Sequence, residues 1–305
     1  MKRTVSIAAA LFALLALLPL GADAYWLRLG TIVLMYGVLA MAWNFIGGMA
    51  GYPSFASAAF FGLGAYAGAV AQKYGVPASL AWILAGLLAA LFAALLGLAL
   101  LRLRGHYFAI ASLVVAEVLR ELVNSATDLT GGGMGLNLPV PHGVTVASQA
   151  GHFFYAMLIL AAVTFAAMVA TVHSKLGFGL RCIQQNEPAA DMLGVNTTAY
   201  KVAAFVLSGV FVGVAGAIYA SWVHYIEPPD VFDVLYSIKA IVMVLLGGAG
   251  SVFGPLLGAA IFLSLEELVW RNYLQVHTGV LGLMIVLLVL FLPKGVLALR
   301  ARRQP

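Results

Sequence analysis

The chain has 305 residues, of which 63% are hydrophobic and only 9% are charged, whereas about 25% are charged in an ordinary soluble domain. With a mean hydropathy of +1.03, this composition excludes a water-soluble globule, and the continuous apolar runs exclude a β-barrel. We therefore expect an all-α, polytopic transmembrane bundle. Basic residues on the cytoplasmic side explain the net charge of +5 better than nucleic-acid binding. The single Cys182 excludes an internal disulfide and a cysteine-based metal site.

The apolar runs predict about eight to ten spans, because each span needs about 20 mainly apolar residues. The range reflects two uncharged breaks, 47–55 and 247–255, which are either cytoplasmic turns or broken helices inside the bundle. These breaks resemble each other, which is weak evidence for an internal repeat. The candidate spans are 4–20, 31–46, 54–72, 78–101, 106–123, 152–172, 202–223, 237–250, 255–269 and 279–292.

The distribution of basic residues predicts the orientation. When the N-terminus is placed in the cytoplasm and the spans alternate, 11 Lys and Arg residues lie inside and 4 lie outside. This bias predicts that both termini are cytoplasmic. Residues 1–24 form either a retained first span or a signal-like segment, because Ala22-Asp23-Ala24 resembles a cleavage site.

The sequence contains no motif for catalysis or for nucleotide binding. It lacks a P-loop and an H-E-x-x-H motif, and the adjacent Glu266 and Glu267 do not share a helix face. No acid falls at the centre of a predicted span, which argues against coupling to protons or sodium. We therefore expect a transport protein that is not an enzyme, has no cofactor or metal of its own, and takes its energy from another chain.

Runs of small residues and clusters of outer acids supply two sets of candidate sites. The small-residue runs indicate either ordinary helix packing or a translocation path, whose candidates are Ser54, Ser57, Phe60, Gly62, Gly64, Tyr66, Gly213 and Gly216. Glu117 and Arg120 can pair on one helix face, either as a structural pair or as the lining of an outer vestibule. The candidates for that vestibule and for contact with a binding protein are Glu117, Arg120, Glu121, Glu227, Asp230 and Asp233.

The polar loop 173–200 carries a predicted short helix at 188–193. Pro188 suits its first turn, Asn186 or Glu187 suits its cap, and Gly194 suits the position just past its end. The loop is either a surface linker or a docking element, and exposed apolar side chains favour docking to a cytoplasmic partner. The predicted coupling residues are Arg181, Glu187, Pro188, Ala189, Ala190, Met192, Leu193 and Gly194.

Four segments resemble the LIV-type permease subunits of ABC importers for branched-chain amino acids. They are GYPSFASAAFFGLGAYAGA (51–69), LRLRGHYFAIASLVVAEVLR (101–120) with the following LTGGGMGL, YKVAAFVLSGVFVGVAGAIYA (200–220), and MVLLGGAGSVFGPLLGAAI (243–261) with the terminal LPKGV. The loop before the third segment is similar to the coupling motif of that family. The matching positions are Ser174, Gly179, Arg181, Ile183, Glu187, Ala189, Ala190, Gly194, Asn196, Lys201, Ala204 and Phe205.

The resemblance implies a single permease domain over 1–305 in a bacterial inner membrane. It also implies a second permease subunit, two ATPase subunits that bind ATP and Mg, and an extracytoplasmic amino-acid-binding protein. Departures from the family pattern at Cys182, Gln184, Gln185, His106 and 54–56 leave the substrate open between hydrophobic amino acids and urea or short amides. A stand-alone secondary transporter and a membrane-embedded enzyme are the alternatives from other classes.

Overall fold

The computed structural model describes residues 2–21, 23–103, 105–139 and 146–272, together with the single positions 279, 282, 286 and 295. Over these residues the chain is almost entirely helical, which confirms the prediction of an all-α membrane protein. Most of the predicted span 279–292, the C-terminal basic residues, Ala22 and Arg104 lie outside the described residues.

The described residues form thirteen α-helices and one pair of two-residue strands, β1 (Leu136–Asn137) and β2 (Tyr225–Ile226), which run antiparallel. The Gly-rich stretch before β1 forms only a single 3₁₀ turn at Gly132–Met134. The helices are α1 (Lys2–Ala16), α2 (Ala24–Trp43), α3 (Ser57–Lys73), α4 (Ala78–Leu100), α5 (His106–Ser125), α6 (Thr127–Thr130), α7 (Val146–Val172), α8 (Lys175–Gln185), α9 (Glu187–Met192), α10 (Thr197–Val223), α11 (Pro228–Val231), α12 (Leu235–Gly247) and α13 (Gly254–Asn272).

Four of the described helices are long and apolar enough to cross a membrane: Ala24–Gly48, Ala78–Leu100, Ser148–Val172 and Thr197–Val223. The predicted starts of the second and sixth spans, at 31 and 152, were wrong because both helices begin earlier. Arg28, Gly30 and Gly151 lie inside these helices, because a single glycine or an arginine near a helix end does not interrupt a helix.

Helix α10 forms the centre of the bundle and packs against α2, α3 and α4. Its contact with α3 depends on glycine, because a Cβ atom on Gly64 would lie 2.0 Å from the carbonyl oxygen of Gly213. A Cβ atom on Gly216 would lie 2.1 Å from the Phe61 carbonyl oxygen. These two helices therefore touch backbone to backbone, as small residues allow in membrane proteins.

The two glycine-rich breaks contact each other. Helix α2 continues as a turn of π-helix over Asn44–Gly48, and Asn44 is fully buried. Its Nδ2 atom donates a hydrogen bond to the Ser251 carbonyl at 3.0 Å, and its Oδ1 atom accepts one from the Gly250 N–H at 2.8 Å. One side chain just before the first break thus satisfies two backbone groups of the second, as irregular backbone inside a bundle requires.

Helix α10 also separates two ends of the molecule. It has 27 residues and is therefore about 40 Å long at the usual rise. Its first turn contacts α8 and α9, whereas its last residue adjoins β2. We call these the α8–α9 end and the β1–β2 end.

Candidate coupling site and outer pockets

The predicted short helix in the loop 173–200 is present as α9. The Asn186 side chain accepts a hydrogen bond from the Ala189 N–H at 3.1 Å, and Pro188 lies in the first turn. Gly194 has φ +83°, the left-handed conformation that ends helices. The cap, the proline and the terminating glycine are confirmed, although the helix spans Glu187–Met192 rather than 188–193.

The tip of α9 exposes apolar side chains. Met192 is 83% exposed and Leu193 is 82% exposed. Ala190 is buried against the chain, whereas Arg181, on α8, is exposed. Adjacent large apolar groups at a loop tip are typical of a contact surface rather than of a linker.

The opposite end of α9 is fixed to the chain by Glu187. Its Oε1 atom lies 2.7 Å from Nζ of Lys201, the first-turn lysine of α10, and its Oε2 atom accepts a hydrogen bond from the Tyr52 hydroxyl at 2.5 Å. Lys201 is only 3% exposed. Its ammonium group also donates to the Tyr52 hydroxyl at 3.0 Å and to the Leu101 carbonyl at 2.9 Å.

This network joins four separate segments at the α8–α9 end: α9, the first turn of α10, the end of α4, and the break between α2 and α3. Gln184, on α8, adds a bond from Nε2 to the Gly48 carbonyl at 3.0 Å. Our expectation that Glu187 would bond an outside partner needs correction, because its carboxylate is engaged within the chain. The sequence analysis did not assign a role to Tyr52, and a buried lysine at the start of an apolar helix was the available signal.

The eight candidates for a translocation path are all buried within the chain. A Cβ atom on Gly62 would lie 2.4 Å from the Phe232 ring, and the Phe60 ring packs edge-on against Phe92 and Phe205. Ser54 and Ser57 are each 2% exposed. The structure therefore uses these residues for packing, which was the first of our two interpretations, and their role in translocation stays a prediction.

Three of the six outer candidates line one cavity. Glu117 and Arg120 form an ion pair on α5, and they line, together with Asp233, a cavity of about 570 Å³ between α5 and the segment after α11. Glu227 accepts a hydrogen bond from the Tyr225 hydroxyl at 2.7 Å. The same hydroxyl oxygen lies 3.0 Å from the Met134 carbonyl of the Gly-rich loop, so the β1–β2 end places this loop beside the acids.

A second pocket, toward the β1–β2 end, contains an ion pair that the sequence did not predict. Lys239, on α12, lies 2.6 Å from Oε1 of Glu266, on α13. Glu266 and Glu267 line the same cavity of about 380 Å³, although adjacent residues do not share a helix face. The sequence signal for a polar site here was a lysine and two acids inside the apolar spans 237–250 and 255–269.

His224 follows α10 at the β1–β2 end. It has φ 59°, and its Nε2 atom lies 2.5 Å from Nε2 of Gln149. Burial lowers the pKa of its imidazole below the usual 6.5, because desolvation disfavours the charged form. The side chain is therefore held neutral at physiological pH.

Comparison with known proteins places this architecture in a family. The family model "Branched-chain amino acid transport system / permease component" matches residues 25–292. The permease protein LivM of the high-affinity branched-chain amino acid transport system of Salmonella typhimurium is 28% identical over 88% of this chain and 69% of its own. LivH, also a permease protein of that system in Salmonella typhimurium, is 25% identical over 86% of this chain and 91% of its own.

A shorter match has a different substrate in its name. The nucleoside ABC transporter permease protein NupC of Lactococcus lactis is 51% identical over 15% of this chain and 15% of its own. No solved structure matches the chain significantly. The family model covers most of the chain, the LIV-type resemblance is confirmed, and the chain belongs to the family of branched-chain amino acid permease components.

Proposed function

We propose that this chain is a transmembrane subunit of an ABC importer that moves branched-chain or other hydrophobic amino acids into the cell across a bacterial inner membrane. ATP and Mg bind to separate ATPase subunits, and this chain neither hydrolyses ATP nor holds a cofactor. A second permease subunit and an extracytoplasmic binding protein complete the assembly. The observation that carries the proposal is α9, whose tip is apolar and exposed while its base is fixed by Glu187 and Lys201.

The mechanism follows from that geometry. An ATPase that binds Met192 and Leu193 displaces α9. This helix has six residues, and no flexible linker separates its base from the rest of the chain. The displacement passes through Glu187 to α10, α4 and the α2–α3 break together. The energy of ATP binding can thereby shift the bundle between two states, provided that the ATPase contacts differ in those states.

The proposed topology has eight to ten spans with both termini in the cytoplasm. The α8–α9 end is then cytoplasmic, and the β1–β2 end faces outward. The Tyr155 hydroxyl, near the outer end of α7, donates to the Ala16 carbonyl at 3.0 Å, which supports an α1 that ends outside and begins inside. The charge bias of 11 to 4 supports the same orientation.

The proposal is tested by uptake into proteoliposomes that contain both permease subunits and the ATPase. Labelled leucine, isoleucine, urea and uridine are offered together with the cognate binding protein. ATP-dependent uptake of the aliphatic amino acids alone supports the proposal. Uptake of urea supports the alternative that the sequence left open, uptake of uridine supports a function like that named for NupC, and uptake without ATPase identifies a secondary transporter.

A further inference from the structure

The Lys239 pocket combines opposite charges with aromatic and aliphatic walls. It lies between α2, α10, α12 and α13, toward the β1–β2 end, and has a volume of about 380 Å³. The Tyr36 and Tyr236 rings stack at 5.9 Å, and Lys239 Nζ lies 5.4 Å from the Tyr36 centroid. The apolar part of the lining consists of Leu29, Ile32, Met35 and Leu263.

The ion pair in this pocket leaves acceptor capacity unused. The side chains of Lys239 and Glu266 are 20% and 19% exposed, so both can be reached from the cavity. Glu266 uses Oε1 for the lysine, whereas its buried Oε2 has no hydrogen-bond partner among the residues that the structure describes. A buried carboxylate oxygen without a donor is costly, and a ligand N–H group removes that cost once the Glu266 side chain turns Oε2 toward the cavity.

We infer that this pocket binds the zwitterion of an aliphatic α-amino acid. The ligand carboxylate pairs with the Lys239 ammonium, the ligand ammonium donates to Glu266, and the side chain lies against the apolar lining. One ion pair is exchanged for two, and a zwitterion leaves the net charge of the pocket unchanged. The inference rests on the proposed function and adds to it a substrate site within this chain.

The same charges discriminate between ligand classes. A neutral ligand such as urea or a nucleoside would separate Lys239 from Glu266 without supplying a replacement charge for either, and charges buried without partners are strongly unfavourable. An amine or a carboxylate alone compensates only one of them. The pocket is therefore selective for a molecule that carries an ammonium group and a carboxylate group on the same carbon.

The test uses the full chain within its complete membrane complex, in nanodiscs without the binding protein, and measures equilibrium binding of three ligands. Leucine carries both charges, 4-methylpentanoate lacks the amine, and 3-methylbutylamine lacks the carboxylate. The variants are Lys239→Met, Glu266→Gln and the combined Lys239→Met/Glu266→Gln, with Lys73→Met as the matched control. Lys73 is an exposed lysine outside the pocket.

Wild type is expected to bind leucine about tenfold or more tightly than either analogue, as charge-assisted hydrogen bonds provide. In Lys239→Met, leucine affinity should fall to that of 3-methylbutylamine, while affinity for this amine is retained. In Glu266→Gln, leucine affinity should fall to that of 4-methylpentanoate, while affinity for this carboxylate is retained. Lys73→Met should bind like wild type. Equal losses of affinity for all three ligands in Lys239→Met or Glu266→Gln, or unchanged leucine binding in these variants, would overturn the proposed site.

Two further measurements keep the outcome decisive. A single variant can fail to assemble because it leaves a buried charge without its partner. The combined variant removes both charges and avoids this problem. Ile32→Trp fills the pocket and leaves both charges in place. Both should lose leucine binding, and retained binding in either overturns the inference. Leucine uptake by the wild-type complex is measured in parallel: its absence refutes the proposed function, whereas normal uptake and binding by the pocket variants refute only this site.

Discussion

Glu187 and Lys201 are 14 residues apart in the chain, yet their side chains lie 2.7 Å apart and join α9 to α10. This ion pair is nearly enclosed, with Lys201 4% and Glu187 14% exposed at the side chain. It connects the base of α9 to the central helix of the bundle. The pair should therefore contribute to the stability of the folded chain and to the transmission of movement from α9 to α10.

Replacing Lys201 by Met should weaken both properties. The change leaves the Glu187 carboxylate without its cation, which in a buried pair costs about 3–5 kcal/mol of unfolding free energy. Thermal unfolding in detergent and substrate-stimulated ATP hydrolysis measure the two effects. The double variant Lys201→Met/Glu187→Gln should recover stability but not stimulation, and Lys175→Met, at an exposed site on α8, is the control. Normal substrate-stimulated ATP hydrolysis in the double variant would show that this ion pair does not transmit movement from α9 to α10.

Substitutions at the tip of α9 should abolish transport without loss of insertion. Gly194→Val forces a β-branched residue to φ +83°, and Met192→Asp with Leu193→Asp removes the apolar contact surface. Each variant should reach the membrane at normal levels and lose uptake and stimulated hydrolysis together. Gly194→Asn, which tolerates positive φ better, should retain more activity. Normal uptake by both disruptive variants would show that the loop is a linker.

The contact between α3 and α10 predicts a strong dependence on glycine. Gly64→Ala places a methyl group against the Gly213 carbonyl and should lower the unfolding free energy by about 1–3 kcal/mol or more, since two backbones must move apart. Gly151→Ala, a helical glycine with open space around it, should be neutral or stabilise by about 0.5–1 kcal/mol. Equal stability of the two variants in denaturation experiments would contradict the close packing.

The orientation can be measured with single cysteines at Ser148 and Ser174 in a Cys182→Ser background. Both positions are exposed, and they lie at the two ends of α7. An impermeant thiol reagent should label position 148 in whole cells and position 174 only after permeabilisation. The reverse pattern would overturn the cytoplasmic assignment of α9.

His224 predicts a decrease in stability at acid pH. Because burial lowers its pKa below 6.5, the folded chain binds fewer protons than the unfolded chain in that region. The contribution of the neutral imidazole is complete above about pH 6.5 and is lost as the pH falls further. The decrease in melting temperature between about pH 7.5 and about pH 5 should be smaller in His224→Asn, which tolerates φ 59°. An unchanged decrease would exclude His224 as its source.

Local signals predicted α9 because they act over a few residues. Asn186, Pro188 and Gly194 each fix the backbone near their own position. The partners of Lys201 were not predictable, since Tyr52 and Leu101 approach it only when the helices assemble. For the same reason the charges of Lys239 and Glu266 marked two apolar spans but could not show that the two side chains meet in one pocket. Composition and motifs identified the class and the family, whereas side-chain pairing required the fold.

Asn44 constrains how the chain can move. Two of the hydrogen bonds of this fully buried side chain join the end of α2 to the loop between α12 and α13. Separating these two regions would leave the buried Asn44 amide and two backbone groups without hydrogen-bond partners. We therefore expect the end of α2 and the loop between α12 and α13 to move together, so that in the proposed importer any relative movement occurs elsewhere.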